Sequence, residues 1–219
     1  MTENLIPYVD QSQLDTHSND VYDALSSGSF TPRIQLMTSK SALVEEGKFK
    51  ANNYALVSGQ DHKDVGASVD VIVCSRRPKA LEIGDDGTVT DVHDLNLVDG
   101  QATGEFKRIM DRADSEKDSG CMYGPEFLLW IPLENKFATF FCGGKTTRRE
   151  AKRIQERMGK GMTLKSKFIK TKKFSWTSPD TFDCSNKLSP PEEELFKKTV
   201  NNFQNPPVKE QVEEAEEDR

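Results

Sequence analysis

Read for the spacing of its apolar residues, the chain is mostly a series of short β-type runs, with helical stripes in only a few places. β-Branched and aromatic residues crowd VDVIVCS (69–75), EFLLWIPL (126–133) and KFATFF (136–141). These runs predict strands, the last two joined as a buried hairpin across Glu134-Asn135. Trp130, Phe137, Phe140 and Phe141 are expected in the core, because both strands are apolar on both faces. FTPRIQLM (30–37) and NNYALVSG (52–59) predict two more strands around a helical turn, SALVEEG, and Pro78 is expected to stop the VDVIVCS strand. The acidic, turn-rich stretch 84–105 reads as an excursion between strands, followed by the amphipathic run FKRIMDRA.

Two segments carry a clear helical period. In the first, Ala151, Ile154 and Met158 form one stripe among arginines and lysines. Thr147 and Glu150 there have capping-box spacing, and Gly159 suits a left-handed C-terminus. In the second, opened by Ser189-Pro190, Phe196, Val200 and Phe203 share a face that is expected to dock on the body. Between the two, MTLKSKFIKTKKFSWTSP (162–179) reads as one long strand or two short ones.

Composition changes this picture at the ends. Of 219 residues, 35% are hydrophobic and 30% charged, too few apolar groups for a chain packed throughout. The expected division is a flexible N-terminal arm (1–29), a folded domain (30–188), a C-terminal helix (189–205) and a disordered acidic tail (206–219). No apolar run approaches the ~20 residues of a membrane span, and the N-terminus lacks the features of a secretion signal. A soluble, cytoplasmic protein without a membrane partner is expected. The four cysteines include no Cys-x-x-Cys pair, and His17, His62 and His93 have no metal-ligand spacing. Neither a metal nor a cofactor is expected, and Cys74 and Cys142 read as buried free thiols.

The net charge of −6 is unevenly distributed: between Lys145 and Lys173 twelve basic residues face two acidic ones. Such a segment in an acidic chain is an electrostatic site for an anionic partner. The terminal EQVEEAEEDR either folds back on that surface, recruits partner proteins or keeps the chain soluble.

Gly144-Lys145-Thr146 raises the possibility of a nucleotide-binding loop, but the first glycine of that motif would have to stand where Thr139 lies, inside an aromatic strand. The loop is too short to wrap phosphates, and a tight strand-to-helix turn is expected instead. In LKSKFIKTKKFSW, strand alternation places Phe168, Lys170, Lys172, Phe174 and Trp176 on one face and Lys165, Lys167 and Lys173 on the other. Interleaved rings and ammonium groups suit single-stranded nucleic acid, since bases stack on the rings while cations follow the phosphates. The other reading is an edge strand whose lysines discourage edge pairing. Arg76, Arg77 and Lys79 form a second basic cluster, and Lys145, Arg148 and Arg149 a third at the start of the basic helix.

The order of elements, several strands and then a helix before the last strands, is compatible with a mainly β protein with α elements, an OB-like barrel with a helix between strands. The segments VDVIVCSRRPKAL and CMYGPEFLLWIPLENKFATFFCGGKTTRREA, with the basic strand and acidic tail behind them, resemble the OB-fold single-stranded-DNA-binding proteins of bacteriophages. The resemblance covers roughly residues 30–180 and the tail. It implies sequence-tolerant binding of single-stranded DNA in phage replication, recombination or repair, in the host cytoplasm and without catalysis. It also implies replication or recombination proteins as partners of the tail. The tail departs from the family in ending in Asp218-Arg219 rather than an apolar tip. Two other classes stay open. Glu134 and Lys136 match a Glu-x-Lys of metal-dependent nucleases, with Asp118 upstream, although at a hairpin turn. A protein-interaction or virion protein would use the basic surface on an acidic partner.

Overall fold

The computed structural model describes residues 31–39, 41–58, 61–83, 89–92, 95–116, 119–172 and 175–205. The expected arm and acidic tail lie outside the described residues, as do Lys173, Phe174, Asp118, His17 and His93. At the centre, β4 (Ser68–Ile83) pairs antiparallel with β8 (Cys121–Ile131), and β9 (Lys136–Phe141) returns from β8 across the expected turn. Alternation sends Val69, Val71 and Val73 with Phe127, Leu129 and Ile131 to one face, and Ile72, Cys74, Leu128 and Trp130 to the other. Both faces are covered, which is why these runs are apolar throughout.

Around this centre stand β1 (Arg33–Leu36), β2 (Tyr54–Ser58), β3 (Asp61–Gly66), β5 (Val89–Val92), β10 (Gly161–Lys170) and β11 (Ser175–Asp183). They make a nine-stranded sheet in the order β11-β10-β4-β8-β9-β1-β2-β3, with β5 on the distal part of β4. Gly66, at φ 86°, and Ala67 carry the chain from β3 directly into β4, although β8, β9, β1 and β2 separate those strands in the sheet. The sheet must therefore curl.

The curl does not close, and the expected OB-like barrel is corrected to an open sheet ending in β3 and β11. Neither β10 nor β11 forms a ladder with β3 among the described residues. Across the seam the Ser166 N–H donates to the Ala67 carbonyl at 3.0 Å, and the Tyr54 hydroxyl to the Lys165 carbonyl at 3.1 Å. These are isolated bonds in place of a ladder.

Each face is closed by a helix with the matching stripe. α1 (Ala42–Glu45) is the short turn before β2, and α2 (Gly104–Ser115) sets Phe106 and Ile109 on Ala80 and Cys121. α3 (Lys145–Gln155) covers the concave face with Ala151 and Ile154, joined by Met158. α4 (Glu193–Gln204) docks Phe196, Val200 and Phe203 on the other face, as its stripe predicts. Burying such side chains contributes ~1.5–3 kcal/mol each before the entropy cost of ordering them. The 84–105 excursion contains the ribbon of β6 (Asn96–Val98) and β7 (Gln101–Thr103).

Three local expectations change. β4 does not stop at Pro78 but runs on to Ile83, with Pro78 opposite Pro125. Two imino nitrogens can face each other only at a pair without mutual N–H bonds, and β4 has no third strand beside it there, because β10 ends its pairing at Ile72 and β5 begins at Ala80. The helix α3 begins at Lys145, not after Thr147: Gly144 is the N-cap, and the Thr147 hydroxyl accepts its N–H at 3.1 Å. Finally, β3 was not apparent from the sequence, because DHKDVG is a polar edge strand with no buried side to produce a pattern.

Candidate nucleic-acid interface

β10 and β11 pair antiparallel from Met162 opposite Asp183 to Lys170 opposite Ser175. β10 pairs with β4 only from Gly161 to Lys165, so its outer half is a two-stranded ribbon with β11, tied to the segment before β2 by the bond from the Thr177 hydroxyl to Asn52 Oδ1. The reversal between the two strands breaks the single stripe expected from alternation. Register pairs Phe168 with Thr177 and Ile169 with Trp176, so Phe168 and Lys170 share one face, while Lys165, Lys167 and Trp176 share the other. Lys172 lies exposed beyond the end of β10. Phe168 is 58% exposed and Trp176 38%, large apolar surfaces for side chains with no cover. Lys165 lies over the ring of Phe182 at 5.1 Å, and Lys165, Lys170 and Lys172 make no ion pair among the described residues.

α3 lies against the base of this hairpin. Lys145, Arg149 and Lys152 are exposed and form no ion pair among the described residues. The other cations are tied into the fold. Arg153 bonds Glu150 and Asp180, both at 3.2 Å, Lys167 reaches the other oxygen of Asp180 at 3.6 Å, and Arg157 pairs with Asp183. This chain of charges sets the angle between helix and ribbon. Arg148 stacks on Tyr123 with 3.9 Å to the ring centroid and donates to Asp114 at 3.1 Å. The Tyr123 hydroxyl also donates to Asp114, at 2.6 Å. That bond, helped by Arg148, holds the Asp114 carboxyl below its ordinary range, while burial and Asp114 push the Tyr123 hydroxyl up.

Arg76, Arg77 and Lys79 lie on β4. Glu126, with a side chain only 3% exposed, accepts from Arg77 at 2.7 Å and Lys79 at 3.1 Å. Arg77 also donates to the Phe203 carbonyl and covers the Phe203 ring, which fastens α4 to β4. Arg76 donates to Gln155 at the end of α3. Lys165 is level with Ser68 in the register, so Lys170 and Arg77 are separated by about 45 Å of strand contour at ~3.3 Å per residue. Arg77 and Lys79 compensate a buried carboxylate, whereas Arg76 is exposed beside the end of α3.

No family model, no curated protein and no solved structure matches this chain. The site must therefore be judged by its own geometry. The loop between β9 and α3 is only 142–144, too short for a phosphate cradle. Glu134 sits on the β8–β9 turn in an ion pair with Lys63, and Lys136 is exposed at the start of β9. Among the described residues no three His, Cys, Asp or Glu side chains are grouped to hold a metal ion. Cys74 and Cys142 are buried free thiols pushed up to about 12 by burial. No helix among the described residues is long and apolar enough to cross a membrane.

Arg153, Arg157 and Lys160 belong to the basic segment 145–173 but were not singled out as binding residues, and Phe182 becomes visible as a neighbour of Lys165 only once the hairpin register is known.

Proposed function

We propose that this protein binds single-stranded DNA without strong sequence preference, through the β10–β11 ribbon and the exposed cations of α3. One observation carries the proposal: the β10–β11 ribbon leaves Phe168 and Trp176 partly uncovered beside lysines that have no ion pair among the described residues. Rings offer stacking to any base, and unpaired ammonium groups are free to exchange their counterions for phosphates. Because the two rings lie on opposite faces, the strand passes around the ribbon rather than along one side. The wider role, in replication, recombination or repair of phage DNA, belongs to the same proposal, as does binding without catalysis. The acidic tail would compete for this surface or carry partner proteins to it.

A salt-series titration comparing single-stranded DNA, single-stranded RNA and duplex tests the proposal. Single-stranded DNA binds tightest, and its affinity falls steeply with salt, with a slope of about 0.7 per phosphate contact. Affinity at low salt no better than that of a neutral control protein overturns it.

A further inference from the structure

We infer that the cleft between the end of α3, the turn that follows it (156–160) and β11 is a phosphate site. It is lined by Arg153, Glu156, Arg157, Lys160 and Thr181 and has a volume of about 470 Å³. Three cations face one carboxylate in this lining. Arg153 and Arg157 are each anchored through one terminal nitrogen, Arg153 to Glu150 and Asp180, Arg157 to Asp183. A guanidinium has five N–H donors, so both retain donors for a second oxyanion, with their geometry already fixed. Lys160 is half-buried and forms no ion pair among the described residues.

The independent observation is Thr181. It is only 8% exposed, and its hydroxyl has no hydrogen-bond partner. Buried hydroxyls are normally satisfied, and one without a partner among the described residues, on a residue that lines a cationic cleft, is a donor that a phosphate oxygen would satisfy. The carboxylates that orient the arginines also weaken the attraction for a free anion. The site therefore suits a phosphate held in place by further contacts, as in a polynucleotide. The source of that phosphate, the backbone of a bound strand, rests on the function proposed above; the chemistry of the cleft does not.

The test uses the full-length protein with two probes, inorganic pyrophosphate and a thymidine oligonucleotide, and two variants. Thr181→Val removes a hydroxyl that has no partner to lose, so its melting temperature stays level or rises. Lys160→Ala removes an ammonium with no ion pair. Both are expected to weaken pyrophosphate binding several-fold, and Lys160→Ala to reduce the salt slope for the oligonucleotide by about 0.7. Pyrophosphate binding that is lost in the variants, in a protein that binds no oligonucleotide, supports the site and overturns the single-stranded-DNA reading. Oligonucleotide binding with the slope unchanged in Lys160→Ala and pyrophosphate binding unchanged in both variants overturns the site and leaves that reading standing. If Thr181→Val does not fold, or the parent shows no pyrophosphate response, the Lys160→Ala slope decides, an unchanged slope overturning the site.

Discussion

Arg77 and Lys79 on β4 and Lys165 and Lys167 on β10 have the same spacing, cations two residues apart on one strand face, and opposite surroundings. The first pair converges on Glu126, which is 3% exposed, and is itself only 14–15% exposed. The second stands on the β10–β11 ribbon, at 60% exposure for Lys167, with one loose contact to Asp180. A lysine or arginine enclosed against a buried carboxylate is withdrawn from ligands, whereas one on an open surface keeps donors to offer. The difference here comes from strand register, which sets Glu126 opposite Arg77.

The sharpest way to break the comparison is to remove Glu126. Glu126→Ala removes the carboxylate shared by two part-buried cations, and breaking a buried pair from one side costs about 3–5 kcal/mol. Urea unfolding is expected to show a loss of that size, with the α4 contacts weakened because Arg77 also holds the Phe203 carbonyl. The corresponding change on the ribbon, Lys170→Ala, is expected to leave unfolding within about 0.5 kcal/mol of the parent. Equal losses at the two sites would remove the distinction.

Next in size is stacking. Trp176→Ala is expected to weaken single-stranded-DNA binding by about 1–3 kcal/mol, measured by fluorescence titration, with little change in stability because the ring is partly uncovered. Phe168→Ala is expected to act similarly from the other face. If only one of the two matters, the strand keeps to one side of the ribbon.

The fold was legible where burial imposes a period. VDVIVCS, EFLLWIPL and KFATFF became β4, β8 and β9, and the stripes at 151–158 and 196–203 became the packed faces of α3 and α4. It was illegible where burial imposes nothing: β3 is a polar edge, and the lysine-rich end of β10 is too exposed for alternation to mark where the strand stops. Of the candidate site, the residue types were readable but their grouping was not. Counting by twos through a turn placed Phe168 and Trp176 on one face, and no local signal tells that Glu126 would claim Arg77 and Lys79 from another strand.

A smaller effect separates free cations from assigned ones. Lys170→Ala and Lys172→Ala are each expected to lower the slope of log affinity against log salt by about 0.7, with no change for Lys197→Ala on α4, where the lysine pairs with Glu193. A slope that changes equally for all three would mean that the field of the whole molecule, rather than the ribbon, attracts the ligand.

The smallest effect concerns Arg148, which stands between the two cases: assigned to Asp114 and Tyr123, yet 19% exposed at the edge of the α3 surface. The Asp114 carboxyl is held below its ordinary range in the folded protein, so its contribution is complete above the unfolded carboxylate value and is lost as pH falls through the lower, folded one. Asp114 is about half exposed, and solvent screening limits the contribution to less than about 1 kcal/mol. Asp114→Asn is expected to flatten the acid limb of the stability–pH curve by that amount. The guanidinium keeps its stacking on Tyr123 in this variant, so the salt slope for single-stranded DNA is expected to stay as in the parent. A steeper slope in Asp114→Asn would show that the carboxylate, and not the ring, keeps Arg148 from the ligand, moving it into the same class as Lys170.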